Sequence, residues 1–291
     1  MKKITLSIFV LSFITTAIFS QKIASQLKFN QGQIFEITME TKTTFEQEAM
    51  GQAIDFNVDG TATHLYKVTN ATEDNSTLHH QVRKIAFTFD GMGQKRKFDS
   101  DNPKDMEGQF GKPVKTVLEK SFDMVINPNG KVMMAIPEKF EIPNDDPRLL
   151  IVMNMLKDVL GTVQPPHKGE ASFFKVIPRN EMGVGESWAD TVNTESEKSI
   201  TTYKITNIND STAVVDLTGN SSTVTKTEMM SIEATINLKN KTTGKIIVDK
   251  ATGIIRRKNI TTESSGSTES SFGTLPITSK IITTINVKSL Q

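Results

Sequence analysis

Ile34-Phe35-Glu36-Ile37-Thr38-Met39-Glu40-Thr41-Lys42-Thr43-Thr44 is the stretch whose reading decides the fold. Apolar and polar residues roughly alternate along it, so successive side chains point to opposite faces and one face is buried while the other is wet. Valine, isoleucine and threonine suit a pleated, half-buried surface because their branched Cβ restricts χ1. The same pattern returns at Ile200–Ile208, Ala213–Leu217, Lys245–Asp249, Ile254–Thr262 and Ile277–Val287. Asn129-Gly130, Thr243-Gly244 and Thr252-Gly253 supply turn chemistry between such runs. The expectation is a large, curved, antiparallel β system.

Two stretches depart from that pattern. Asp146-Pro147 reads as a capped helix start, followed by Leu149 to Leu160 and a stop at Gly161. Nine of the twelve residues from Leu149 to Leu160 are apolar, with Asn154, Lys157 and Asp158 as the polar stripe. A helix apolar over most of its circumference must be covered on nearly all sides. A shorter helix is predicted at Pro113–Lys120, with Val114, Val117 and Leu118 on one face.

The chain also resembles itself. Tyr66-Lys67-Val68-Thr69-Asn70 recurs as Tyr203-Lys204-Ile205-Thr206-Asn207, each followed by a polar turn. Met124–Gly130 is echoed by Ile246–Gly253 at a slightly shorter offset, which an insertion at Asp99–Lys120 would explain. The same order of both motifs points to two related halves. The expected layout is a first β half over 21–142, a connecting apolar helix in 143–163 and a second β half over 164–291, with the helix on or between the curved sheets.

Residues 1–20 read differently from the rest. Lys2 and Lys3 precede an apolar run from Ile4 to Phe19, and Ser20 precedes Gln21, the pattern of a secretory signal peptide. A membrane-spanning reading is weaker, because the run is short and polar chain follows at once. The 34 basic residues of the 291-residue chain, less Lys2 and Lys3, leave 32 against 33 acidic ones. That near-neutral balance argues against nucleic acid as a partner. The chain has no cysteine, so disulfides, thiolate metal sites, thiol nucleophiles and a lipidated cysteine are all excluded. The expectation is an exported protein, periplasmic or extracellular, that does not span the membrane once the signal is removed.

Tyr66–Asn70, Phe98-Asp99-Ser100-Asp101-Asn102-Pro103, Phe122–Val132 and Val184-Gly185-Glu186-Ser187-Trp188, in that order, resemble an uncharacterised family of exported bacterial proteins defined only as a domain of unknown function. The resemblance spans roughly Gly32 to the C-terminus and brings no catalytic residues with it. More distantly, a sheet-rich exported chain with a very apolar helix is similar in architecture to half-barrel carriers of lipoproteins and lipids.

Chemistry of the usual kinds is sparsely signalled. The histidines are His64, His79, His80 and His167, and none has metal-ligand spacing. On a strand, His79 and His80 point to opposite faces. No Gly-x-Ser-x-Gly elbow occurs, and Gly91-Met92-Gly93 and Gly183-Val184-Gly185 lack the third glycine of a dinucleotide loop. Asp99, Ser100 and Asp101, with Asp105 and Glu107, form the densest polar cluster; a cation loop and a solvated turn ahead of Pro103 are the competing readings. Trp188 follows a Gly185 turn, and Met133, Met134, Met153 and Met155 offer adaptable apolar surface.

The leading expectation is an exported non-catalytic binding protein that holds an apolar ligand, or an acylated or protein partner, in a sheet concavity. Its expected binding residues are Leu149, Val152, Met153, Leu156 and Trp188, with no metal and no cofactor. A lipid, a lipopeptide or an envelope protein is the partner expected. The alternatives are a structural or surface-assembly β protein without a cavity and, third, a carboxylate-based hydrolase.

Overall fold

The fold is that of a computed structural model describing residues 22–23, 25–49, 52–91, 93–140, 164–178, 181–229, 232–271 and 273–290. The expected leader, Met1–Ser20, and the expected apolar helix, Pro147–Leu160, lie outside the described residues. The strands are β1 (Lys22–Ile23), β2 (Ile34–Ala49), β3 (Gln52–Ala71), β4 (Ser76–Gly91), β5 (Gln94–Asp99), β6 (Ser121–Ile126) and β7 (Val132–Ile136). They continue as β8 (Met182–Gly183), β9 (Ser187–Asn193), β10 (Glu197–Ile208), β11 (Thr212–Met229), β12 (Ile232–Asp249), β13 (Ile255–Ser270) and β14 (Gly273–Ser289). Two short helices, α1 (Pro103–Met106) and α2 (Gly111–Leu118), fall between β5 and β6.

The mainly β reading holds, but the halves do not carry separate sheets. One antiparallel sheet of 12 strands runs β7-β6-β4-β3-β2-β14-β13-β12-β11-β10-β9, with β5 beside β4. The last strand closes onto the first long one, Ile285 opposite Met39, and so joins the two halves. The sheet is open, with β7 and β9 as its edges. β1 and β8 make a separate two-stranded pair.

Alternation along each strand builds two unlike faces. On β2 the odd positions Phe35, Ile37 and Met39 are buried, and Glu36, Glu40 and Lys42 point the other way. The buried positions form two clusters on one face, here called the inner face. The first gathers Phe35, Ile37, Tyr66, Leu78, Ile85, Phe87, Phe98, Phe122 and Met124, and is covered by Leu27, Phe29, Phe174 and α2. The second gathers Ile205, Val215, Leu217, Ile246, Val248 and Ile255, and is covered by Ile23, Ile177 and Met182. Segments 22–23, 25–30, 164–178 and 181–183 therefore lie across the base of both halves, and burial of these side chains is the main favourable term holding them there.

Two hairpins are built alike. Tyr66 pairs His80 in β3–β4, and Tyr203 pairs Leu217 in β10–β11. Each ladder slips at the matching place, between Val68 and Asn70 and between Ile205 and Asn207, so Thr69 and Thr206 are bulged; β3–β4 slips once more, between Thr63 and His64. Thr72 N–H donates to Asn75 O, and Asn209 N–H to Thr212 O, both at 2.9 Å. Sheet order then continues β3-β4-β6-β7 and β10-β11-β12-β13, with β5, α1 and α2 standing between β4 and β6. Gly130 and Gly253 close the β6–β7 and β12–β13 turns with φ of 78° and 69°, a conformation that side chains with a Cβ disfavour.

Candidate functional site

Reading the sheet crosswise shows what the inner face offers. Direct Cα partners give a row Ile85, Ala62, Met39, Ile285, Lys258, Ile246, Val215, Ile205 over eight strands. Two rows above it stand Val58, Thr43, Ile281, Thr262, Thr242, Gly219 and Thr201, with Thr242 and Thr262 hydroxyls 3.2 Å apart. Above these come Phe56, Phe45, Ser279, Ser264, Asn240, Ser221 and Ser199, where the Asn240 amide donates to Ser221 Oγ at 2.9 Å. Phe45 and Phe56 stack with centroids 4.5 Å apart, and Phe89 lies 6.0 Å from Phe56. Apart from the buried Val58, Gly219 and Ser264, these upper rows are half-buried rather than sealed. Among the described residues, Lys258 is the one charged side chain on the inward positions of β2, β3, β4, β11, β12, β13 and β14.

The first half holds a polar island in its core. His64 and His80 are both fully buried, with His64 Nδ1 3.0 Å from His80 Nε2. The Tyr66 and Phe122 rings lie 4.6 and 4.4 Å from the His80 ring. Burial, then the neighbouring His64 and His79, pushes His80 down to about 2, so it is neutral. Among the described residues His80 Nδ1 has no partner. A bare lone pair is cheaper to bury than an unmet N–H, so the favoured tautomer has His80 Nε2–H donating to His64 Nδ1. Each nitrogen of that contact is occupied by the other. His79, one residue away, faces outward and bonds Asp123 at 2.8 Å, the opposite-face placement expected of adjacent strand residues.

Asp99, Ser100 and Asp101 form a turn that is already neutralised. Lys84 Nζ donates to Asp99 Oδ2 at 3.1 Å and to Asp101 Oδ2 at 2.6 Å. The Asp101 N–H, then Lys84, hold the Asp99 carboxyl below its usual range. Asn102 caps α1 by accepting from Lys104 N–H, with Pro103 in the first turn. Among the described residues no three His, Asp or Glu side chains are grouped to hold a metal ion. On the covering segments, burial brings Lys175 down to about 8, and its ammonium donates to Ser25 O, tying 164–178 to the N-terminal segment.

Of the residues expected to bind ligand, Leu149, Val152, Met153 and Leu156 lie outside the described residues. Trp188 sits on β9, parallel to the Tyr203 ring with centroids 5.1 Å apart, against the rim of the second cluster. Sequence reading missed Lys258 and Lys175, and weighed His64 only as a metal ligand. A lysine at the head of the inward steps Lys258-Ile260-Thr262 was the available signal for the first. The His64–His80 contact needed the bulged register of β3–β4, which no local pattern prints. No described helix is long and apolar enough to cross a membrane.

No curated protein matches the chain. Among solved structures, lipovitellin, studied for its lipid–protein interactions, is 10% identical over 91% of this chain with a TM-score of 0.48; the chain spans 26% of its length. An outer membrane channel from Pseudomonas putida F1 is 6% identical, covering 91% of this chain and 98% of that one, with a TM-score of 0.26. DynF from the dynemicin biosynthesis pathway of Micromonospora chersina is 5% identical, covering 92% and 86%, with a TM-score of 0.21. Residues 73–255, more than half of the sequence, match a family defined without an activity, and the chain belongs to it: the Family of unknown function (DUF6263).

Proposed function

We propose that this protein is an exported, non-catalytic binding protein that holds an apolar ligand, or the acyl chain of an acylated partner, against the inner face of its sheet. The carrying observation is that over β2, β3, β4 and β11–β14 this face continues without charge beyond the two core clusters, the inward Arg96, Asp190 and Glu197 standing on β5, β9 and β10. Half-buried Ile260, Ile281, Leu238, Phe45, Phe56 and Phe89 stand there above the sealed rows. A solvated antiparallel face ordinarily carries charge, as the outer face of β2 does with Glu36, Glu40 and Lys42. Export rests on the basic-then-apolar sequence of residues 1–20. The matched β3–β4 and β10–β11 hairpins support a second element of the reading, that the two halves descend from one duplicated unit.

Native mass spectrometry of protein purified from its own envelope tests the reading. The expected result is a co-purifying hydrophobic molecule that organic extraction removes and added lipid restores. Protein that arrives empty and takes up no lipid would overturn it. The open edge gives a second reading some support, because β7 exposes Met133, Met134 and Ile136. An exposed apolar edge strand favours pairing with another chain, as a surface-assembly protein would use it. Concentration-dependent assembly that Ile136→Lys abolishes would favour that reading over the carrier.

A further inference from the structure

Lys258 interrupts the most buried row of the sheet. The other seven members, Ile85, Ala62, Met39, Ile285, Ile246, Val215 and Ile205, are all apolar and at most 7% exposed. Its cross-strand partners are Ile246 and Ile285, and Ile260 follows it on the same face. The carboxylates of the neighbouring strands are elsewhere. Asp216 and Glu263 sit on the outer face near Lys245 at 3.8 Å and Lys280 at 3.3 Å, and Asp249 accepts from Arg256 at 2.9 Å beside the β12–β13 turn. Among the described residues of the neighbouring strands Lys258 therefore has no anion to answer it, and burial lowers its pKa. An ammonium in such a place is costly, and methionine or leucine would complete the row without that cost.

We propose that Lys258 is the head-group site of the inner face, taking the carboxylate of a single-chain amphiphile of the long-chain fatty acid class. This rests on the apolar-ligand reading above and adds the class of ligand to it. Across β2, β3, β4 and β11–β14 this is the one inward charge, with Asp190, Glu197 and Arg96 set apart on β9, β10 and β5, and it is complementary to one negative charge on an otherwise apolar molecule. The tail then lies along the column Ile281 and Ile277 of β14, beside Ile260 and Phe45. From Ile285, opposite Lys258, to Ile277 the strand advances about 26 Å, the scale of a long acyl chain. The hydroxyls of Thr242 and Thr262 border this path, and no carboxylate on these strands opposes the incoming charge.

The test uses the full chain, stripped of lipid, and titrates palmitate, hexadecyl phosphate and hexadecanol into wild type, Lys258→Met and Lys258→Gln by calorimetry. Wild type should bind palmitate at least about tenfold more tightly than either variant, the size of one charge-assisted hydrogen bond. Hexadecanol should bind all three alike, which also shows that the variants are folded. Equal palmitate affinity in wild type and both variants, with hexadecanol still binding, would overturn the role of Lys258 and leave the apolar face standing. Failure of all three amphiphiles to bind wild type would overturn the apolar-ligand reading itself. Hexadecyl phosphate binding more tightly than palmitate, and only in wild type, would overturn the carboxylate assignment in favour of a phosphate head.

Discussion

The hairpins β3–β4 and β10–β11 share a register and a bulge yet fill their inner faces with opposite chemistry. In the first, His64, Tyr66 and His80 lie among Phe35, Phe122 and Phe174, every one at most 3% exposed. In the second, the matching positions are Thr201, Tyr203 and Leu217, and of these only Leu217 is buried. Backbone pairing is set by the turn and the bulge, which are local. Burial is set by what lies above the face, which is not. Phe29, Phe174 and α2 cover the first hairpin's side of the sheet, whereas aliphatic Ile23 and Ile177 cover the second.

The covering ring of Phe174 is where that difference is most costly to remove. Phe29, Phe35, Tyr66 and Phe173 surround it with centroids 5.3–5.8 Å apart within the cluster, mostly edge to face. Phe174→Ala should cost about 3–5 kcal/mol in urea denaturation, since the cavity is walled by rigid rings that collapse poorly. Ile177→Ala, the corresponding loss over the second half, should cost less. Equal losses would mean that the two halves are covered equally well, against the comparison.

The next effect concerns acid. His80 is held neutral at about 2 in the folded state, against an ordinary value of 6.5. Between those values the unfolded chain takes up a proton that the folded chain refuses, so this contribution is complete above pH 6.5 and is lost as pH falls. One pH unit corresponds to about 1.4 kcal/mol, so stability should drop by roughly 2–3 kcal/mol between pH 6.5 and 4.5. His80→Leu copies the second hairpin's residue into the first and should flatten that slope. Parallel stability–pH curves for wild type and His80→Leu would remove the island's role.

Much of this was legible in the residues. Alternation at Ile34–Thr44 marked β2, Pro113–Lys120 marked α2 within two residues, and Gly130 and Gly253 marked turns of positive φ. Periodicity and turn chemistry are short-range and survive in sequence. What was not legible is long-range. Nothing local announces that β14 pairs with β2, so one sheet replaced two. Lys258 drew no notice because its place in an apolar row appears only after seven registers are stacked. His64 and His80 become neighbours only through a bulge.

Small residues sharpen the contrast further up the strands. The second half keeps Gly219, Gly244 and Gly266 on inward positions. A Cβ built on Gly266 would meet Asn237 O at 1.8 Å and Leu238 Cα at 3.0 Å, so β12 and β13 must part to admit it. Gly266→Ala should therefore destabilise by about 1–2 kcal/mol, at the lower part of the range for overpacking. Hydrogen exchange should quicken in β12 and β13 around these residues and stay unchanged in β3 and β4. Faster exchange throughout the sheet would show that the halves open together.

The smallest expected effect probes what the hairpins have in common. At each bulge a threonine hydroxyl donates across the ladder, Thr69 Oγ1 to Thr77 O at 3.2 Å and Thr206 Oγ1 to Val214 O at 3.4 Å. Both are exposed and long, so each contributes little against water. Valine keeps the branched Cβ that suits a strand and deletes only the hydroxyl. Thr69→Val and Thr206→Val should each change stability by no more than about 0.5 kcal/mol, and by the same amount. The sites lie on separate hairpins with no shared partner, so the double variant should be additive. A loss above about 1 kcal/mol at one bulge only would show that the bulges do different work, and the equivalence of the hairpins would then rest on register alone.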